Sequence, residues 1–140
     1  MPVVGFNFDS ISAKRMFSEA TKSNVTINST PTIVSIDEKK GSPGVVSIRF
    51  TFKTSYEPKL GFIELGGELL YQAKDAKEAQ ELVKSWGKTK KVEKAVAVDV
   101  LNAIFRRSLV RVTDVADEII LPPPIRLPVV KAEEQSKYIG

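Results

Sequence analysis

The chain has 140 residues, of which 42% are hydrophobic and 27% charged, and it carries a formal net charge of +4. That length suits one domain around one core, and the balance is that of a globular protein with a mildly basic surface. There is no cysteine and no histidine, which excludes disulfides, thiolate or imidazole metal sites, and nucleophile–histidine pairs.

The opening segment MPVVGFNFDS alternates Val4, Phe6 and Phe8 with Gly5 and Asn7, the two-residue period of a strand. It has neither the basic n-region nor the long apolar h-region of a signal peptide. No apolar run reaches the roughly 18 residues of a membrane span. We therefore expect a soluble, cytoplasmic chain that does not insert into membranes. SISAKRMFSEATKS, which follows, fits either a continued strand or a short helical turn. Next comes one long, bent strand. Val25 and Ile27 alternate, the phase slips around Ser29 to Pro31, and Val34 and Ile36 resume it. DEKKGSPG is a polar hairpin loop into the strand VSIRFTFKTSY. There Val46, Ile48, Phe50, Phe52 and Tyr56 face one way, and Ser47, Arg49, Thr51, Lys53 and Ser55 the other. Pro58 and Gly61 mark a turn. In GFIELGGELLYQA, Ile63, Leu65, Leu69 and Tyr71 share one face, and Phe62, Glu64, Glu68 and Leu70 the other. Gly66 and Gly67 interrupt this strand, as at a bulge or a close backbone approach. The pattern predicts a meander of four antiparallel strands.

The second half is helical. Asp75 is a helix cap with Glu78 as its capping-box partner. Ala76, Ala79, Leu82, Val83 and Trp86 follow at helical spacing, and Gly87 closes the helix. Val92, Val96, Val100, Ile104, Leu109, Val112, Val115, Ala116 and Ile119 approximate a 3.6-residue period. This predicts a longer helix from about 91 to 108 and a second short piece capped by Thr113 or Asp114. Many of these residues are β-branched and poor intrinsic helix formers. Packing on the sheet has to hold them. Strands followed by helices give an α+β fold: a four-stranded antiparallel sheet, two C-terminal helices and an extended proline-rich segment. Residues 1–131 form the single domain and 132–140 a loose tail. The absence of cysteine and the two methionines fit a protein from a hot habitat.

Little in the sequence looks like catalysis. Without His or Cys, acid–base work would fall to carboxylates, Lys or Tyr. Glu64 and Glu68 share a strand face, which reads as the wet side of the sheet. No phosphate-binding loop surrounds Gly66-Gly67. We read no enzyme, no cofactor and no metal. Lys88, Lys90 and Lys91, with Arg106, Arg107 and Arg111, could meet the phosphates of RNA or a ribosome. Most other cations alternate with acidic residues, as on a solvated surface. Phe50, Phe52, Tyr56, Tyr71 and Trp86 are expected in the core. Phe62 and Leu70 fall on the other sheet face, which suggests an interface or client surface and a homo-oligomer.

EIILPPPIRLPVVK, residues 118–131, is too apolar for a linker, and its prolines never stand three apart as a PxxP ligand needs. Pro122 stops the helix and the residues before the prolines are pushed to extended conformations. The apolar residues among them, Ile125 and Leu127 included, then have surface to bury against the fold or a neighbouring subunit. Four strands, a long helix and then Leu121, Pro122, Pro123, Pro124 and Ile125, with Asn102, Arg106 and Arg107 on the helix, resemble the SecB-like family. That family comprises the export chaperone and its small archaeal relatives. The familiar chaperones are acidic, whereas this chain is basic. The resemblance implies dimers or tetramers built by sheet packing. It also implies ATP-independent, chaperone-like capture of unfolded polypeptides along apolar grooves, as in protein transport, and no catalytic residues. A SecB-like module serving an antitoxin, and a basic RNA- or ribosome-associated protein, stay open as alternatives.

Overall fold

Strands β3 (Val45–Glu57) and β4 (Gly61–Gln72) form the centre of a four-stranded antiparallel sheet. The computed structural model describes residues 3–16 and 25–125. β2 (Thr26–Glu38) pairs with the outer edge of β3 and β1 (Val3–Arg15) with the outer edge of β4, so the order is β1-β4-β3-β2. Helices α1 (Ala76–Thr89) and α2 (Lys94–Glu118) follow. This is the α+β order expected from the sequence. The expected tail, 132–140, lies outside the described residues.

The period-two patterning decides the layers. Val46, Ile48, Phe50, Phe52 and Tyr56 of β3 are buried, as are Ile63, Leu65, Leu69 and Tyr71 of β4. Arg49, Lys53 and Glu64 on the other face are exposed. The register sets Ile48 opposite Leu69 and Phe52 opposite Leu65, so the two strands present one apolar surface to the helices. Trp86 departs from the expected core set. It packs only partly buried at the core's edge.

β2 is the long irregular strand expected, but its slip lies elsewhere. Alternation runs unbroken through Ile27, Ser29, Pro31 and Ile33, and the register shifts between Ile33 and Ser35. Val34 is therefore 55% exposed while Ile36 is 4% exposed, although the sequence put them on one face. A one-residue slip sends a side chain to the opposite face. SISAKR extends β1 rather than turning. Gly66 and Gly67 mark a close approach, not a bulge in their own strand. A Cβ on Gly67 would run into the Asn7 carbonyl of β1, and one on Gly66 into the Ser10 hydroxyl. The bulge falls on β1, between Phe8 and Ser10.

At the start of α1, Asp75 Oδ1 accepts the Glu78 N–H at 2.8 Å. The Glu78 carboxylate accepts from the Lys74 N–H at 3.3 Å, one residue short of the reciprocal bond of a capping box. Gly87 does not end this helix. α1 runs to Thr89, and Lys90, at φ 56°, is the left-handed cap whose N–H reaches the Trp86 carbonyl.

α2 is also longer than its sequence suggested. It begins at Lys94, not 91, and continues without a break for 25 residues. Thr113 does not cap a new helix. Its Oγ1 donates to the Leu109 carbonyl at 2.7 Å, inside the helix. Packing overrides the weak propensity of the β-branched residues. Val96, Val100, Ile104, Ser108, Val112 and Ala116 are all buried. Ser108, not Leu109, takes the fully buried place in this row, and its hydroxyl has no hydrogen-bond partner among the described residues.

The helix ends before the prolines. Ile120 adopts φ 58°. The Leu121 N–H bonds to the Ala116 carbonyl at 2.8 Å and the Ile120 N–H to that of Asp117 at 3.4 Å. This is a Schellman ending with Ile where Gly is usual. Leu121 turns back into the core, and the Tyr56 hydroxyl donates to the Pro122 carbonyl at 2.7 Å. Leu121 and Pro122 thus lie against the fold, but Ile120 and Ile125, expected to be buried, are exposed, and the turn at Ile120, not Pro122, ends the helix.

Two consequences are measurable. Ser108→Ala removes an orphan hydroxyl, so urea unfolding should show a gain of about 1 kcal/mol; a loss would mean that the hydroxyl is satisfied. Burial pushes the Tyr56 phenol up to about 12. The neutral phenol is favoured by the fold, so its contribution is whole below the unfolded value of about 10 and fades as pH climbs towards the folded one. Tyr56→Phe should cost about 1 kcal/mol at neutral pH through the lost hydrogen bond. It should also flatten the alkaline fall in stability, compared with the parent by denaturation at a series of pH values.

Candidate functional site

Among the described residues, helices cover one face of the sheet. On the other face, Arg49 Nη2 lies 2.6 Å from Asp9 Oδ2, and the Ser47 hydroxyl donates to Glu68 Oε2 at 2.7 Å. Lys39 Nζ stands 4.0 Å from the second Glu68 oxygen. This polar lattice holds Phe62 and Leu70, both half-buried and both on the face predicted. The Lys53 ammonium lies 5.6 Å from the centroid of the Phe62 ring. Leu70 rests over Gly5, where a Cβ would come within 3.0 Å of it. The two are eight residues apart on β4, roughly 27 Å along the strand, so the structure does not bring them together. Ile125 is exposed, and Leu127 lies outside the described residues.

The helix side carries an apolar surface that reading the sequence missed. One residue on from the buried Val96, Val100, Ile104, Ser108 and Val112 stand Ala97, Leu101, Phe105, Leu109 and Thr113, all half-buried. Each is turned by about 100° from its buried neighbour, so this second row runs along the flank of the helix. Phe105 meets Phe52 edge-on, with centroids 5.5 Å apart. Ile27 and Ile33 of β2, and Val83 and Trp86 of α1, are likewise half-buried at the rim of the core. α1 lies over β2 and β3, and α2 mainly over β4 and β3. Each helix packs on the sheet more than on the other, which leaves one side of these residues open. The signal was present: Leu101, Phe105 and Leu109 recur at four-residue spacing.

The predicted cations divide into two groups. Lys88, Lys90 and Lys91 are exposed at the end of α1 and just beyond it, with Lys90 Nζ 5.3 Å from the Trp86 ring centroid. Arg106, Arg107 and Arg111 are exposed on the middle of α2. Lys88, Lys90 and Lys91 all precede α2, and the first twelve residues of that helix, roughly 18 Å, lie between its start and Arg106. The structure therefore joins Arg106 to Arg107 but not to the lysines. These two, with Asp99, Asn102 and Ala103, line a hollow whose other wall includes Val3 and Phe6 of β1. A neighbouring hollow, around Tyr71, is lined by Glu78, Glu93 and Asp99. Burial, and then the negative charges of Asp99, Glu78 and Glu93, raise the Tyr71 pKa. One flank of α2 thus runs from acidic to basic. No helix among the described residues is long and apolar enough to cross a membrane.

No family model matches the chain, and no curated protein matches it in sequence. Solved structures do match. Over 92% of its own length and 89% of the other chain, it is similar to a Mycobacterium tuberculosis SecB-like chaperone solved in complex with a ChAD peptide from the HigA1 antitoxin, with a TM-score of 0.60 and 11% sequence identity. At that identity the likeness is one of architecture: the chain has the SecB-like fold.

Proposed function

We propose that this chain is an ATP-independent polypeptide-binding module, which holds unfolded segments on an apolar surface of a homo-oligomer in the cytoplasm. The second apolar row of α2 carries the reading. Leu101, Phe105 and Leu109 are half-buried although the core row beside them is complete. Contiguous apolar surface of this kind marks a place where another chain binds. A SecB-like neighbour that holds a peptide supports the same reading. Phe62, Leu70, Ile125 and Leu127 remain the candidates for contacts with a client or between subunits. Such capture serves protein transport and the holding of one dedicated partner alike.

A basic RNA- or ribosome-associated role is the second reading. One observation favours it: the Lys90 ammonium stands 5.3 Å from the Trp86 ring at the end of α1, with Lys88 and Lys91 close by in sequence. It requires RNA binding that falls steeply with salt and is lost when the three lysines become Glu.

The first reading is checked by light scattering from an unfolding client. Excess protein should suppress aggregation without nucleotide, and Leu101→Ser should weaken that suppression several-fold, a loss of about 1 kcal/mol in binding, with the circular dichroism spectrum unchanged. Aggregation that proceeds equally with and without the protein would refute it. Phe62→Ser should disturb client binding or subunit assembly, read by size exclusion, and leave the fold intact. Global unfolding of that variant would instead make Phe62 a structural residue.

A further inference from the structure

We infer that the hollow between the start of β1 and the middle of α2 is a charge-selective subsite for an acidic peptide segment, which seats an apolar side chain beside a carboxylate. This goes beyond apolar capture. It shares with that reading only a polypeptide ligand, and it lies on the opposite flank of α2 from Leu101 and Phe105.

The helix builds it by spacing. Asp99, Ala103 and Arg107 are four residues apart, as are Asn102 and Arg106, so both sets line the same flank. Ala103 contributes only a methyl group, which leaves room between the arginines and β1. Val3 and Phe6 close the far side, and the hollow measures about 260 Å³. Pockets for small-molecule ligands run to roughly 300–1,000 Å³. This space therefore suits one or two peptide side chains rather than a whole cofactor.

The charges say which side chains. The Arg107 guanidinium stacks over the Phe6 ring, with its carbon 5.5 Å from the centroid. Stacking orders the guanidinium while its N–H groups stay available to a planar carboxylate. The ion pairs among the described residues, Lys39–Glu68 and Arg49–Asp9, leave Arg106 and Arg107 without a carboxylate within 4.0 Å. Asp99 lines the same hollow, but about 11 Å along the helix from the two arginines, so the hollow is basic at one end and acidic at the other.

The same arrangement argues against a polyanion. An RNA strand laid through the hollow would bring one phosphate against Asp99, which lines it, and the next against Glu93 in the adjoining hollow. A peptide with one carboxylate meets no such repulsion. An extended peptide covers about 3.4 Å per residue, so a basic residue three or four positions from the acidic one would reach Asp99. The ligand class is thus a peptide with an apolar residue between a basic and an acidic one.

The test uses the full-length protein and fluorescein-labelled peptides, read by anisotropy. One peptide carries Lys and Glu four residues apart around Leu and Phe, and its control has Gln for Glu. The acidic peptide should bind more tightly by about fivefold to tenfold, the loss expected for one partly solvated charge-assisted contact. The double variant Arg106→Gln/Arg107→Gln should bind both peptides equally, whereas Arg107→Lys should keep part of the preference. Equal binding by the parent protein, a preference that survives the double variant, or no binding of either peptide would overturn the proposal. So would single-stranded RNA that displaces the peptide and itself needs both arginines. Aggregation suppression should be unchanged in the double variant. If suppression is absent while the charge preference holds, apolar capture fails and this subsite stands.

Discussion

The apolar face shared by β3 and β4 has to be kept from water, and α2 does most of that work. Ile48 lies opposite Leu69 and Phe52 opposite Leu65, and these side chains form a surface as long as the strands. Twelve or thirteen residues at about 3.4 Å each make roughly 41 to 44 Å. The 25 residues of α2 at about 1.5 Å each make roughly 38 Å. A helix broken near Ser108 would have left half of that face wet. The cost of continuity is visible in the buried, unpartnered Ser108 hydroxyl and in a helix rich in β-branched residues.

The way α2 buries itself also creates its two exposed flanks. A row at strict four-residue spacing drifts by about 40° per step in a helix of 3.6 residues per turn. Val96 and Ala116 are both buried, so opposite ends of the helix turn different sides inward. Between them one flank shows Leu101, Phe105 and Leu109, and the other shows Asp99, Asn102, Arg106 and Arg107. The first suits apolar chain segments and the second suits charge. A chain that binds polypeptides gains from having both, since apolar contact gives affinity without direction and charge gives selectivity.

The open sheet face is less apolar than its two large side chains suggested. Arg49 with Asp9, and Ser47 with Glu68, cross-link neighbouring strands. Phe62 and Leu70 are islands in that lattice. At the end of α2, Leu121 in the core and Pro122 on the Tyr56 hydroxyl tie the last described segment to the sheet. The prolines begin only after the left-handed turn at Ile120 has already ended the helix.

By itself the sequence determined what period and chemistry can encode. Those are the four strands, the faces of β3 and β4, the helices after them, and the absence of Cys and His chemistry. Alternation is local, and a wrong face would expose a row of Val, Ile and Phe, so these features were legible. The slip at Val34, the bulge opposite Gly67, the continuation of α1 past Gly87 and the single long α2 were decided by the tertiary structure. Each depends on a partner distant in the chain: β3 for β2, Asn7 for Gly67, the sheet for α2. The same holds for the candidate surfaces. Arg106 and Arg107 were visible as cations, but only the fold sets Val3 and Phe6 opposite them and separates them from the lysines of α1. Leu101 and Phe105 were visible as apolar residues, but only the way α2 packs on the sheet leaves them half open.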